Sequence, residues 1–173
     1  MKLNNMKKLF FIALVFCMPL FIFACGQTPA FLKVGDPAPD FSLKDRKGKT
    51  WILSELKGQV VLVNFWATWC PPCREEMPSM QKLYARLPGE NFKMLAILNK
   101  DKPALADFVA TQIGFTIPIL NDQDNQVSSN FSIIGLPETF IIDKQGILRE
   151  KFIGPVKWDS PVSIKMLMKY INQ

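Results

Sequence analysis

The 173-residue chain contains no histidine. That absence excludes mixed cysteine–histidine zinc sites, covalent haem attachment through Cys-x-x-Cys-His, and any Cys–His nucleophile pair. Cysteine is also scarce: Cys17 and Cys25 stand near the N-terminus, and only Cys70 and Cys73 remain for the rest of the chain. Zinc would need two more ligands than that pair supplies. A two-thiolate Cu(I) site with a methionine as third ligand is the one metal arrangement the composition leaves open. There is no basic cluster beyond the N-terminus to argue for nucleic acid, and charges of both signs are interspersed as on a solvated surface. No internal repeat or low-complexity tract is present. With 49% apolar and 21% charged residues, the chain has the profile of one globular domain behind a leader.

Lys2, Lys7 and Lys8, with no acid among them, precede an uncharged apolar run from Leu9 to Ala24 that Pro19 interrupts. This is the pattern of a secretory leader over residues 1–24. The run is shorter than the roughly 20 residues of a spanning helix, so an uncleaved signal anchor is the weaker reading. Loss of those three lysines takes the net charge from +6 to +3. Ile22-Phe23-Ala24-Cys25-Gly26 resembles a bacterial lipobox. The resemblance implies a lipidated Cys25, a tether over residues 25–33, and a protein held on the extracytoplasmic face of a membrane. Several acyl chains, at about 0.8 kcal/mol per buried methylene, would hold it firmly. Cleavage nearby by an ordinary leader peptidase, with Cys25 lost or free, is the alternative.

The remaining residues, 34–173, read as one domain. Prolines 37 and 39 forbid a helix at its start. Phe41–Leu43 and Thr50–Ile52, around the turn-forming Asp45–Gly48, suggest an edge hairpin, and Ser54–Gly58 at most one helical turn. The almost unbroken apolar run Val60–Trp66 reads as a strand buried on both faces. Met77, Met80, Leu83, Tyr84 and Leu87 recur at helical spacing, so a helix runs from Pro71 to about Leu87, with Pro78 expected to kink it. Further expected elements are strands at 92–98 and 117–120, helices at 103–113 and 124–131, and a hairpin of 138–143 with 147–153 turning at Gly146. Ser160 or Asp159 would cap a last helix to about Ile171. The order predicts an α/β fold: a mixed central sheet with helices on both faces.

Two cysteines three residues apart close almost no loop, so a structural staple gains little from them. Redox chemistry explains them better. At a helix N-terminus, unpaired N–H groups and the macrodipole favour a thiolate, and Cys70 takes that place. Pro71 and Pro72 suit the first helical positions, where a missing N–H costs nothing. Cys73, one turn deeper, is the natural resolving thiol, which makes a Cys70–Cys73 disulfide the redox centre without any cofactor.

The segment Asn64-Phe65-Trp66-Ala67-Thr68-Trp69-Cys70-Pro71-Pro72-Cys73-Arg74-Glu75-Glu76-Met77-Pro78 resembles the active-site region of the TlpA/ResA/DsbE group of thioredoxin-like proteins, and Gly135-Leu136-Pro137-Glu138-Thr139 resembles their cis-proline loop. The resemblance implies a thioredoxin-like fold with an extra strand and helix between about Lys100 and Asn130. It also implies a cis Pro137 opposite the cysteines, with Leu136 pairing to a bound substrate strand. Ordinary thioredoxin carries a buried Asp where this chain has Asn64, which cannot accept a proton, and Glu76 is the candidate acceptor for Cys73 instead. Glu138 is expected to line the substrate groove or to be a satisfied strand-end acid. Trp66 and Trp69 are expected to pack around the site, and Trp66 could equally be plain core. The implied activity is reductive thiol-disulfide exchange on exported proteins such as apocytochrome c, with electrons from a membrane thiol transporter. Two rivals remain. Val34–Phe41 also resembles the opening of peroxiredoxins, although Ala67 stands where their Thr or Ser would be. A Cu(I)-binding lipoprotein chaperone is the other, and its relatives add a histidine that this chain lacks.

Overall fold

Val60–Trp66, apolar everywhere but Asn64, is buried at every residue. It is the middle strand of a five-stranded sheet in the computed structural model, which describes residues 31–173 apart from Pro88 and Glu90. The expected leader, the lipid site at Cys25 and the tether as far as Ala30 lie outside the described residues. In chain order the elements are β1 (Ser42–Lys44), β2 (Thr50–Ile52), a 3-10 turn (Leu53–Leu56), β3 (Val60–Trp66), α1 (Pro71–Arg86) and β4 (Phe92–Asn99). Then come α2 (Pro103–Gln112), β5 (Ile119–Asp122), α3 (Gln126–Asn130), β6 (Glu138–Ile142), β7 (Leu148–Ile153) and α4 (Pro161–Ile171). The sheet order is β5-β4-β3-β6-β7, with β3, β4 and β5 parallel and β6 and β7 antiparallel to their neighbours. None of the described helices is long and apolar enough to cross a membrane.

The two crossovers β3-α1-β4 and β4-α2-β5 step the same way across the sheet. Right-handed connections therefore put α1 and α2 on one face. Alternation along β3 divides the core accordingly. Val60, Leu62 and Trp66 pack with Met77, Met80 and Leu83 of α1, Ala106 and Ala110 of α2, and Leu167 and Tyr170 of α4. Val61, Val63 and Phe65 face Phe41, Leu53, Val127, Phe131 and Phe140 beneath the hairpin, the 3-10 turn and α3. Both faces are covered as expected, but the second carries only one short helix. Met77, Met80 and Leu83 are essentially solvent-free. At about 2 kcal/mol each, their burial locates α1 far more firmly than its cap could.

Some boundaries depart from the sequence reading. β5 begins two residues later than expected because Pro118 has no N–H for the ladder. Its carbonyl still accepts from the Ala96 N–H at 2.9 Å. Pro78 lies inside α1, which runs to Arg86, one residue short of the expected end near Leu87. The bond it cannot make is to the carbonyl of Arg74, and both residues lie on the exposed side of the helix, where water can serve instead. Of the two candidate caps for α4, Ser160 does the work: its Oγ accepts the Ser163 N–H at 3.2 Å. The β6–β7 turn uses Gly146 at φ 85°, a left-handed conformation glycine adopts without Cβ strain. The stretch between β4 and β6 holds α2, β5 and α3, in the region where an added strand and helix were expected.

Candidate active site

At the C-terminal end of β3 the chain passes through Ala67-Thr68-Trp69 and enters α1 at Cys70. Cys70 has an extended N-cap backbone (φ −92°, ψ 104°), and Pro71 and Pro72 follow at the first helical positions. Its Sγ accepts the Cys73 N–H at 3.3 Å, so the sulfur takes the role of a capping oxygen. Cys70 and Cys73 are joined, with S–S 2.06 Å and Cα–Cα 5.3 Å. In this disulfide form Cys70 is only 3% exposed and Cys73 not at all. The two tryptophans expected around the site take different places. Trp66 is buried in the core beneath α1, with its indole N–H unpartnered, whereas Trp69 is 63% exposed. An N-cap residue's neighbour points out of the turn, and among the described residues no element covers Trp69.

Asn64 shares its β3 face with Leu62 and Trp66 and therefore points under α1. Glu76, three residues beyond Cys73 on the same helical face, meets it there and is only 3% exposed. Three donors converge on the carboxylate. Asn64 Nδ2 donates to Oε1 at 2.8 Å, and the Val156 N–H and Trp158 Nε1–H donate to Oε2 at 3.1 and 3.3 Å. Asn64 Nδ2 also reaches Thr139 Oγ1 at 2.9 Å. Burial pushes the Glu76 carboxyl up from 4.5 to about 7, because loss of water disfavours the charge more than the three donors restore it. A group poised there can take or give a proton at neutral pH.

The Leu136–Pro137 peptide is cis. Pro137 is buried, Leu136 half-buried, and Ile134 on the same loop is 70% exposed. Glu138 is wholly buried, so its carboxylate does not face a groove. Its Oε1 accepts the Ile134 and Gly135 N–H groups at 2.7 and 3.0 Å, and Oε2 pairs with Lys151 Nζ at 3.1 Å. It holds the loop in shape from below. Between this loop and Trp69 lies a groove of about 310 Å³, with Asn99, Asn125 and Ser128 on its far wall. Asn99 Nδ2 donates to Asn125 Oδ1 at 2.6 Å and Ser128 Oγ at 2.7 Å. The wall stands on the buried Asp122, which accepts from the Val127 and Ser128 N–H groups and from Ser128 Oγ.

Sequence reasoning thus brought Cys70, Cys73, Glu76, Leu136 and Pro137 to one end of the sheet. It missed Val156 and Trp158, the polar wall, and Asp101, whose Oδ2 accepts from Thr68 beside the cysteines. The contacts that bring them to the site have no local signal: Asp101 reaches Thr68 across 33 residues, Asn99 reaches Asn125 and Ser128 across 26 and 29, and Val156 and Trp158 reach Glu76 across 80 and 82. Among the described residues, no group of three or more His, Cys, Asp or Glu side chains is placed to hold a metal ion.

Known proteins resemble the chain in sequence and fold. The model of the AhpC/TSA family matches residues 34–151. A thiol-disulfide oxidoreductase ResA from Geobacillus kaustophilus is 41% identical over 122 residues, covering 70% of either chain. The thioredoxin-like protein YneN of Bacillus subtilis is 36% identical over 129 residues, covering 71% of this chain and 73% of that one. Among solved structures, a thiol:disulfide interchange protein of the thioredoxin family from Chlorobium tepidum superposes with a TM-score of 0.70 at 27% identity, covering 80% of this chain and 98% of that chain. StoA from Bacillus subtilis, at 24% identity and a TM-score of 0.65, covering 78% of this chain and 98% of its own, shares the fold. The chain belongs to the AhpC/TSA family and is a thiol-disulfide oxidoreductase of the ResA type with a thioredoxin-like fold.

Proposed function

We propose that the chain is an exported reductant of protein disulfides, tethered by lipid on Cys25 to the extracytoplasmic face of a membrane. Its substrates are unfolded exported proteins such as apocytochrome c, whose thiols must be reduced before haem is attached. The Cys70 thiolate attacks one sulfur of the substrate disulfide, forming a mixed disulfide, and the other substrate sulfur leaves as a thiolate that takes up a proton. Cys73 then gives its proton to Glu76 and attacks Cys70 Sγ. The second substrate thiolate leaves, and the Cys70–Cys73 disulfide is made. Two electrons have passed from the dithiol to the substrate. A membrane thiol transporter supplies two electrons to restore the dithiol, and no separate cofactor takes part.

The observation that carries this reading is the buried Glu76, raised to about 7 on the helical face of the resolving cysteine. Cys73 is the more deeply buried sulfur and needs a base that water cannot supply. The groove beside Trp69 suits an extended segment of polypeptide: Leu136 offers its backbone, Pro137 shapes the floor, Pro71 and Pro72 border the sulfur, and Glu138 keeps the loop in place. The test is capture in cells. A Cys73→Ser variant should accumulate mixed disulfides at Cys70 with exported proteins, and apocytochrome c should be among them. Recovery of no exported partner, from cells in which the wild type turns over, would sink the proposal.

A further inference from the structure

The turn that carries Cys70 has few ties to the rest of the fold. Ala67 is packed in the core, Trp69 is exposed, and within the turn the Cys70 N–H donates to Ala67 O at 3.2 Å. Thr68 supplies the tie that crosses to another element. Its N–H and its Oγ–H both donate to Asp101 Oδ2, each at 2.6 Å. Asp101 sits between β4 and α2, where its other oxygen accepts the Lys102 N–H at 2.7 Å. One carboxylate therefore joins its own loop to the redox turn 33 residues earlier. Hydrogen bonds to an ionised acceptor are about twice as strong as neutral ones.

In the disulfide form the bond to Cys73 also holds Cys70 against α1. Reduction removes that bond, and the position of Cys70 then rests on its capping contacts with the Cys73 and Arg74 N–H groups, both at 3.3 Å, and on the turn. The geometry points to Asp101 as a positioning residue for the redox reaction: through Thr68 it keeps the reduced Cys70 at the N-terminus of α1, where backbone N–H groups favour the thiolate. This rests on Cys70 being the attacking thiol, as proposed above. Asp101 acts through the turn, and its own negative charge works against a thiolate. Asp101→Ala and Asp101→Asn both delete the charge, but only Asn retains a carbonyl acceptor in the same place, so the contrast between them isolates the tie.

The experiment uses the reduced full-length chain. Alkylation of Cys70 is followed by mass spectrometry across pH, and kcat and KM are measured with a disulfide-bonded peptide. Misplacement of a reacting group by ~1 Å costs up to about a hundredfold in rate. At pH 6 to 7, Asp101→Ala should alkylate about tenfold more slowly than Asp101→Asn, with the midpoint of its pH profile moved up. Its kcat should fall while KM stays within about twofold, and Asn should restore most of the loss. Identical profiles for the two variants, or a change in thermal midpoint alone, would overturn the proposal. If Asp101→Ala does not fold, Thr68→Val removes the hydroxyl bond and leaves the backbone one. It should slow alkylation about threefold in the same direction, and an unchanged profile would equally overturn the proposal. Alkylation needs no protein substrate, so a wild type that reduces no exported disulfide would defeat the reductase reading and leave this test intact.

Discussion

Replacing Glu76 with Gln is the most informative single perturbation, because it leaves the shape of the site nearly intact and removes one titration. In the disulfide form the cysteines of the site carry no titratable proton, and the chain has no histidine. No other side chain ordinarily titrates between pH 5 and about 8. Glu76 stands in that window, with its pKa raised from 4.5 to about 7 by burial. A carboxyl with a higher pKa in the folded state binds its proton more tightly there than in the unfolded chain. The stability it confers is complete below about pH 4.5 and is lost as pH rises through 7. The shift corresponds to about 3 kcal/mol at 1.36 kcal/mol per pH unit, as an order of magnitude. The acids whose pKa is lowered, Asp40 and Asp45, work in the opposite sense and outside the window, losing their contribution only as pH falls below about 3.8. Urea unfolding of the oxidised protein should therefore show stability falling by about 2.5 kcal/mol between pH 5 and 8 in the wild type, and an almost flat profile in Glu76→Gln. In the reduced protein, Cys73 and Glu76 should share two macroscopic steps that collapse to one in the variant. A flat wild-type profile, or the same slope in both proteins, would refute the reasoning.

Three other outcomes follow from the geometry. In the reduced protein, iodoacetamide should label Cys70 before Cys73, with an apparent pKa below the ordinary value of about 8.5; faster labelling of Cys73 would reverse the assignment of the two sulfurs. Glu138→Ala leaves the Ile134 and Gly135 N–H groups and the Lys151 ammonium without their acceptor, so stability should fall by about 3 kcal/mol in urea unfolding, with KM for a disulfide peptide rising as the loop loosens. Cys25→Ser should leave an unprocessed or mislocalised precursor, and mass spectrometry of the mature wild-type N-terminus decides the matter, since an unmodified start beyond Cys25 excludes the lipid.

The parts of the fold that could be read in advance are those whose causes are local. The apolar run Val60–Trp66 announces a central strand because both faces of a parallel strand are covered. Pro71 and Pro72 announce a helix start at Cys70 because proline suits only the first turn. Glu76 was legible from its three-residue spacing to Cys73. Its three donors were not, because Val156 and Trp158 return 80 and 82 residues later through the chain leaving β7. Alternation in a strand tells which face a side chain takes but not what waits there. Glu138 shows the difference: residue type and place left a groove acid and a satisfied strand-end acid both open, and the Lys151 opposite with two loop N–H groups satisfies it inward. Trp69, expected around the site, stands 63% exposed at the edge of the groove beside Leu136.

Asn64 ties these lessons to function. A carboxylate at that place in β3 would put two acids within hydrogen-bonding reach under α1, and like charges so close cannot both ionise. With Asn64, the strand contributes a donor, and the single carboxylate comes from the helix that also carries both cysteines. Glu76 and Cys73 then share one rigid element, pinned by Met77, Met80 and Leu83, so their spacing is set by helix geometry and not by the docking of helix on sheet. Movement of the substrate loop or of the turn at Thr68 can change how Cys70 is presented while leaving the Cys73–Glu76 relation intact. The two half-reactions of thiol-disulfide exchange are thereby separable. Changes at Asp101 or Glu138 should act on formation of the mixed disulfide, and changes at Glu76 on its resolution.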